Sequence, residues 1–232
     1  MCGRYNLITP PYEIARRLEL DQVQIAELPP RYNIAPRTWI AVIRSEPGEE
    51  PDTQRLILMS ALWGFRPAWA KRNSPQPINA RAETVGESPY YRQAFAARRC
   101  LMPADGWYEW RMEAGRKQPY YFTTGDLMLL AGIWTATAEG EPSCAILTEP
   151  ARGAAQAIHS RMPVVIEAGS WRRWLDPRLQ EREEIRAAIR HMPAEALRCW
   201  PVSTRVNSVR NDDRELIEPL PGSSEGVGPE RL

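Results

Sequence analysis

Residues 100–147 read CLMPADGWYEWRMEAGRKQPYYFTTGDLMLLAGIWTATAEGEPSCAIL. Cys100–Met102, Gly106–Met112, Pro119–Thr123, Leu127–Thr135 and Ser143–Leu147 are short aromatic and aliphatic runs within it. Runs of this length between Gly- and Pro-bearing segments read as strands, and Glu113–Lys117 as a hairpin turn. Five strands in succession, with no helical period between them, favour an antiparallel sheet over doubly wound strand–helix alternation.

Toward the N-terminus, Cys2–Ile8, Trp39–Arg44 and Leu56–Leu62 read as further strands, the last two separated by a polar turn at Glu46–Thr53. Thr9-Pro10-Pro11 marks a helix start, and Ile14, Leu18 and Leu20 give Pro11–Leu20 an apolar stripe. Ser88-Pro89 starts a second helix running to about Arg98, while Trp63–Pro77 is aromatic, basic and proline-rich, hence a surface loop of functional length. Toward the C-terminus, Ala151–Ile158 is a short helix, Val164–Ile166 a strand, Ser170–Leu175 and Gln180–His191 amphipathic helices, and Arg198–Val202 a last strand. Pro221–Leu232 is a Gly/Ser/Pro tail with nothing to bury and is expected to be disordered. With no internal repeat or composition break, the expectation is one α+β domain over residues 1–220, its largely antiparallel, barrel-like sheet core flanked by helices.

The chain has 232 residues, 30 Lys+Arg against 29 Asp+Glu, and is 43% hydrophobic, which excludes a disordered chain. No apolar run approaches the roughly 18 residues of a membrane helix, and the first 20 residues hold no signal-peptide core. A net charge of +1 leaves any nucleic-acid surface to a local patch. Cys2, Cys100, Cys144 and Cys199 lack zinc spacing with each other and with His159 and His191, so no metal is expected and the thiols are expected to be free. Phosphate-binding glycine loops are absent, so no nucleotide cofactor is expected either. These features point to a cytoplasmic protein. Most of the nine tryptophans must be core, Trp171 and Trp174 among them, and the Arg98-Arg99 and Arg172-Arg173 doublets read as solvated faces.

Removal of Met1 from Met1-Cys2-Gly3-Arg4 would leave Cys2 with an α-amine and a thiol two carbons apart. Cys2 is then either a small second residue and no more, a thiol nucleophile with its own amine as base, or an amine that attacks an aldehyde before the thiol closes a thiazolidine. An α-amine titrates near 7.7–8.0 against about 10.4 for lysine, so at pH 7 its neutral fraction is roughly several hundredfold larger.

Ile78–Thr84 alternates, so that an extended backbone points Asn79, Arg81 and Glu83 to one face. That face suits a phosphorylated or sugar-like ligand, or else it is a solvated edge. Glu109, among Trp107, Tyr108 and Trp110, is either desolvated toward a general acid/base pKa or paired across the sheet. His159, followed by Ser160 and Arg161, is either a proton-transfer group or structural. Trp63, Phe65, Arg66, Trp69, Lys71 and Arg72 interleave rings and cations in a composition that suits single-stranded nucleic acid.

Taken together, these stretches resemble the SOS response-associated peptidase (SRAP) family, the abasic-site processing proteins. The matching segments, in order, are Met1–Tyr5, Tyr32–Pro36, Leu62–Phe65, Asn79–Thr84, Arg98–Trp110, Ile158–Pro163 and Pro201–Ser203 followed by Val206-Asn207. The resemblance implies a positively charged channel for single-stranded DNA and a substrate whose abasic deoxyribose opens to an aldehyde. It implies Cys2 as the crosslinking residue, Asn79 as the residue positioning the N-terminus and sugar, and Glu109 as general acid/base. It implies His159 as a second proton-transfer group, Arg81 as a phosphate contact, and Arg4 and Arg161 on flanking phosphates; Trp63, Trp69 and Trp110 are the rings expected against DNA. The expected protein is a cofactor-free monomer, nucleoid-associated when DNA is damaged, whose proteolysis is confined to Met1 removal and self-release. One departure is Ser160, where the family usually carries an acidic residue.

Three rival readings begin from the same residues. N-terminal-cysteine glutamine amidotransferases also start Met-Cys-Gly, but the Arg-Gly-Pro and Asn-Gly-Glu segments expected of them are missing. The others are a non-covalent binding module for modified DNA and a general cysteine protease using Cys2 and His159.

Overall fold

The computed structural model describes residues 2–25, 27–50, 53–71 and 73–223, and sorts their strands into two sheets. The first half of the chain forms β1 (Tyr5–Leu7), α1 (Pro11–Leu18), β2 (Gln22–Val23), β3 (Arg31–Ile34), β4 (Trp39–Pro47), β5 (Gln54–Trp63), β6 (Asn79–Arg81) and α2 (Arg92–Ala97). The second half forms β7 (Arg99–Ala104), β8 (Gly106–Glu113), β9 (Arg116–Thr123), β10 (Met128–Ala136), β11 (Pro142–Pro150), β12 (Arg161–Pro163), β13 (Val165–Ile166), α3 (Trp171–Trp174), α4 (Arg182–Ala188) and β14 (Arg198–Pro201). The chain is a single α+β domain, mostly strand with few and short helices.

The smaller sheet has the order β14-β9-β8-β1-β3, all antiparallel. The larger runs β12-β11-β10-β7-β4-β5-β2 and bends back until β5 meets β11 in parallel at Leu62–Ser143 and Trp63–Cys144. Beyond that contact β11 pairs instead with β6, so the sheet makes a ring but not a clean barrel. The β8–β9 hairpin turns through Ala114 (φ 45°) and Gly115 (φ 78°), a two-residue turn whose positive φ values match the strand twist and call for glycine.

Strand alternation sorts the core into two parts. Trp107 points from β8 into the main core and stacks on Phe122, with ring centroids 5.1 Å apart. Tyr108, its neighbour, points to the other side, where Tyr121, Trp200, Val202, Val206 and Leu216 form a second cluster. The segment after β14, with its 3-10 turns at Thr204–Asn207 and Arg214–Ile217, covers that outer face.

Several sequence expectations change. The helix expected at Gln180–His191 stops at Ala188, because the backbone of Arg190–Met192 hydrogen-bonds with β13 and its flank. Ala151–Ile158 is a 3-10 turn at Gly153–Ala157, and the Ser170–Leu175 helix is one turn. The loop expected from Trp63 begins later, since Trp63 ends β5 and Phe65 is buried. Part of the Glu46–Thr53 turn and residues 224–232 of the expected tail lie outside the described residues; Ser223 still donates its backbone N–H to Leu220. Free thiols are found at all four cysteines, all buried. No helix among the described residues is long and apolar enough to cross a membrane.

Arg99 is the sharpest correction to the solvated-doublet reading. It is buried, with Nε donating to the Trp174 carbonyl at 2.6 Å and Nη1 to the carbonyls of Phe95 and Ala96 at 2.9 and 2.6 Å. Nη2 reaches the Asp176 carbonyl, and burial pushes the guanidinium pKa down to about 10. One planar fork therefore satisfies the C-terminal carbonyls of α2 and of the α3 turn together. Arg99→Met should cost about 3–5 kcal/mol in urea unfolding, because buried acceptors lose their donor, and Arg99→Lys should recover little of it. Unfolding midpoints equal to wild type for Arg99→Met would remove this role.

Candidate active site

Antiparallel pairing of β1 with β8 (Tyr5 opposite Trp107, Asn6 opposite Gly106) brings the chain's start against the strand that carries Glu109. Both ends of this N-terminal segment are pinned. At the far end the Asp105 carboxylate accepts the Ile8 and Thr9 N–H groups at 2.6 and 2.9 Å and the Thr9 hydroxyl at 2.5 Å. At the near end Asn79 Nδ2 donates to the Cys2 carbonyl at 2.9 Å, while Asn79 Oδ1 is buried with no hydrogen-bond partner.

Cys2 is fully buried, and burial, reinforced by the Glu109 carboxylate, pushes its thiol pKa far up. The thiol is therefore protonated at neutral pH. Glu109 shares the Trp107 face of β8 by alternation, so it points into the space between the sheets and is only 3% exposed. Burial raises its pKa; the positive charge of His159 opposes that rise. The two candidate acid/base groups are thus electrostatically coupled.

His159 Nδ1 lies 2.9 Å from the Arg161 backbone nitrogen and 3.0 Å from the Arg161 carbonyl oxygen, so it accepts from the one or donates to the other according to its tautomer. The main chain of Arg161 thus holds the ring, and Ser160, at the family's usual acidic position, is exposed. Glu109 and His159 line a cleft of about 380 Å³ with Arg4, Trp110, Lys117 and Asn207. An apolar groove of about 420 Å³ between Leu18, Leu129, Ile166 and Trp171 holds none of the candidate residues.

Arg4 enters the cleft on a fixed mount: Nη1 donates to Asn33 Oδ1 at 2.7 Å and to the Val206 carbonyl at 2.9 Å. Asn33 Nδ2 binds the carbonyls of Ser208 and Asn211 at 3.0 and 2.8 Å, tying β3 to the C-terminal segment. The Trp110 ring is held by its Nε1–H donating to Asn207 Oδ1 at 2.7 Å.

The other candidates do not line this cleft. Arg161 is not presented to solvent as a phosphate ligand: both terminal nitrogens engage the Glu83 carboxylate, Nη2 at 2.9 Å, and Nη2 also donates to the Thr148 carbonyl at 2.5 Å. The same pair holds the Glu83 carboxyl below the usual range. Arg81 is exposed at the end of β6. Trp63 cannot stack on a base, because it is fully buried, packs edge-on against Tyr5 and donates Nε1–H to the Ile78 carbonyl. Trp69 is 64% exposed and meets Tyr90 edge-on, Tyr90 in turn touching buried Phe65. Arg66 is ion-paired with Glu139 at 2.6 Å, Lys71 is exposed, and Arg72 lies outside the described residues.

Three contributors were not legible as site residues. Asn33 and Asn207 stood only within matching motifs, and Lys117 only as the end of a hairpin turn. No local signal marks Lys117, because its place in the cleft depends on the β8–β9 register. Among the described residues, no group of three or more His, Cys, Asp or Glu side chains is arranged to hold a metal.

The family model described as SOS response associated peptidase (SRAP) matches residues 1–209, a span that includes Cys2 and Asn207. The chain belongs to the SRAP family. Among similar proteins, abasic site processing protein YoqW of Bacillus subtilis is 33% identical over 228 residues, spanning 94% of this chain and 99% of its own. Abasic site processing protein HMCES of Gallus gallus is 31% identical over 239 residues, covering 88% of this chain and 70% of its own. A crystal structure of a Bacteroides thetaiotaomicron protein superposes with a TM-score of 0.79 at 21% identity, over 94% of this chain and 100% of that one, and shows the same fold. This SRAP chain thus carries the family's sequence on a fold found in crystal form.

Burying Glu109 has a thermodynamic consequence. A carboxyl with a raised native pKa binds its proton more tightly when folded, so its contribution is full below the ordinary range and lost as pH rises through the raised value. Glu109→Gln mimics the protonated group. It should be more stable than wild type at neutral pH and indistinguishable from it below about pH 4, read by urea unfolding across pH. A variant less stable than wild type at pH 7 would show that burial does not dominate at this carboxyl.

Proposed function

We propose that this protein captures abasic sites in single-stranded DNA as a covalent thiazolidine at Cys2, after Met1 has been removed. The reading is carried by one observation: Asn79 holds the Cys2 carbonyl while the buried Glu109 carboxyl lies close enough to shift the Cys2 thiol. The names of the relatives, which process abasic sites, favour the same substrate.

On this reading Glu109, in its protonated form, gives its proton to the ring oxygen while the C1′ hydroxyl releases its own to water, and the abasic deoxyribose opens to an aldehyde at C1′. The Cys2 α-amine adds to C1′, and the resulting carbinolamine loses water to become an imine. The Cys2 sulfur then adds to the imine carbon, and the thiol proton ends on the nitrogen. The sum is aldehyde plus aminothiol giving thiazolidine plus water. An imine alone invites β-elimination and strand cleavage; ring closure removes that route. His159 serves as a second proton-transfer group, and Asn79 fixes the terminus against which the sugar docks.

A general cysteine protease fits less well, since a hydrolytic thiol is activated by a lowered pKa and burial here works in the opposite sense. The proposed action ties the protein to damaged DNA.

Incubation with an abasic single-stranded oligonucleotide should yield an intact mass equal to protein without Met1 plus DNA minus one water. Cys2→Ala should lose the heat-stable adduct but still be trapped by borohydride, and Glu109→Gln should crosslink about 10²–10⁴-fold more slowly. A heat-stable adduct from Cys2→Ala, or crosslinking by protein that keeps Met1, would overturn the proposal.

A further inference from the structure

Three cations line or neighbour the candidate cleft, and two of them are already engaged inside the protein. Arg4 Nη1 is taken up by Asn33 and Val206, and burial depresses its pKa; Arg161 is clamped by Glu83 and Thr148. Lys117 differs. It is exposed, lines the cleft with Glu109 and His159, and among the described residues no hydrogen bond or ion pair engages its ammonium. The other cations of its hairpin do not reach the cleft lining: Arg111 binds Glu113 and the Tyr120 hydroxyl, and Arg116 sits opposite Glu113 at the turn. The hairpin fixes where Lys117 stands, directly across from Met112 and two residues before Pro119, the partner of Trp110.

We propose that Lys117 is a backbone contact for the DNA strand, holding a phosphodiester next to the sugar that reaches Glu109. This inference rests on the proposed single-stranded DNA substrate and names the cation that seats it. A compact, hydrated ammonium on a flexible stem can follow a phosphate as the strand settles, which the two mounted guanidinium groups cannot do without giving up internal partners. Trp110, held by Asn207 beside it, offers a ring to the adjoining nucleotide. Lys117 acts on seating, not on the bonds made at C1′.

The test compares wild type, Lys117→Ala and Lys117→Arg on two oligonucleotides of one sequence, intact and abasic, across a salt series. For the intact strand, loss of one phosphate contact should make the slope of log affinity against log salt shallower by about 0.7 in Lys117→Ala, with Lys117→Arg retaining the wild-type slope. For the abasic strand, Lys117→Ala should raise the half-saturating DNA concentration several-fold, a larger change than any in maximal crosslinking rate. An unchanged slope and half-saturating concentration would overturn the inference, as would a loss confined to the maximal rate. A borohydride-trapped peptide containing Lys117 would reassign it as a nucleophile. If wild type forms no crosslink at all, the proposed function fails, while the intact-strand slope still reports on Lys117.

Discussion

The site depends on a single strand having to serve two cores. On β8, Trp107 must face the main core and Tyr108 the cluster under the C-terminal segment. Alternation then leaves no choice for residue 109: its side chain faces inward, between the sheets, whatever its chemistry. A carboxyl placed there loses water and has its pKa raised by burial. The acid is thus made by the packing of its neighbours, and its position is only as good as the β1–β8 pairing that seats the N-terminus beside it. Asp105 and Asn79 grip that segment at opposite ends, so neither can relax without moving Cys2 relative to Glu109.

Guanidinium groups are used here chiefly as internal fasteners. Arg99 joins two helical ends through main-chain carbonyls, and Arg4 joins the N-terminal segment to β3 and the C-terminal segment. Arg161 does the same across the larger sheet. Its pairing with Glu83 and Thr148 links the segment following β6, the strand that carries Asn79, to β12, which begins two residues after His159. A near-neutral chain with many arginines can therefore have few cations to spare at its site, and counting basic residues along the chain overstates the charge available to an anionic ligand.

Much of this was legible in the residues. The consecutive strands of 100–147 appear where apolar runs and turn residues place them, because hairpins with local partners carry their own signal. The candidate residues Cys2, Asn79, Glu109 and His159 stand out by side-chain type, and the fold draws them toward one region. What escaped was decided by distant partners. β2, β3, β6 and β12 are two to four residues long and exist because a neighbouring strand pairs with them. α4 ends early for the same reason, since residues 190–192 are claimed by β13. Trp63 and Arg99 were misplaced because a tryptophan or arginine has the same local appearance in a core as on a surface.

Burial sets the order of events that the proposed chemistry must follow. Both the thiol and the Glu109 carboxyl are shifted toward their protonated forms, so neither starts the reaction as a strong nucleophile or base. An α-amine titrating near 7.7–8.0 by contrast keeps roughly a tenth of its population neutral at pH 7, several hundredfold more than a lysine. The amine must then act first, beside a carboxyl shifted toward its proton-donating form, and the thiol last, when an electrophilic imine makes a protonated sulfur sufficient. A thiolate exposed from the start would instead compete for any electrophile that came within reach. Raising the thiol pKa slows indiscriminate reaction while leaving open the one intramolecular step for which the sulfur is already in place.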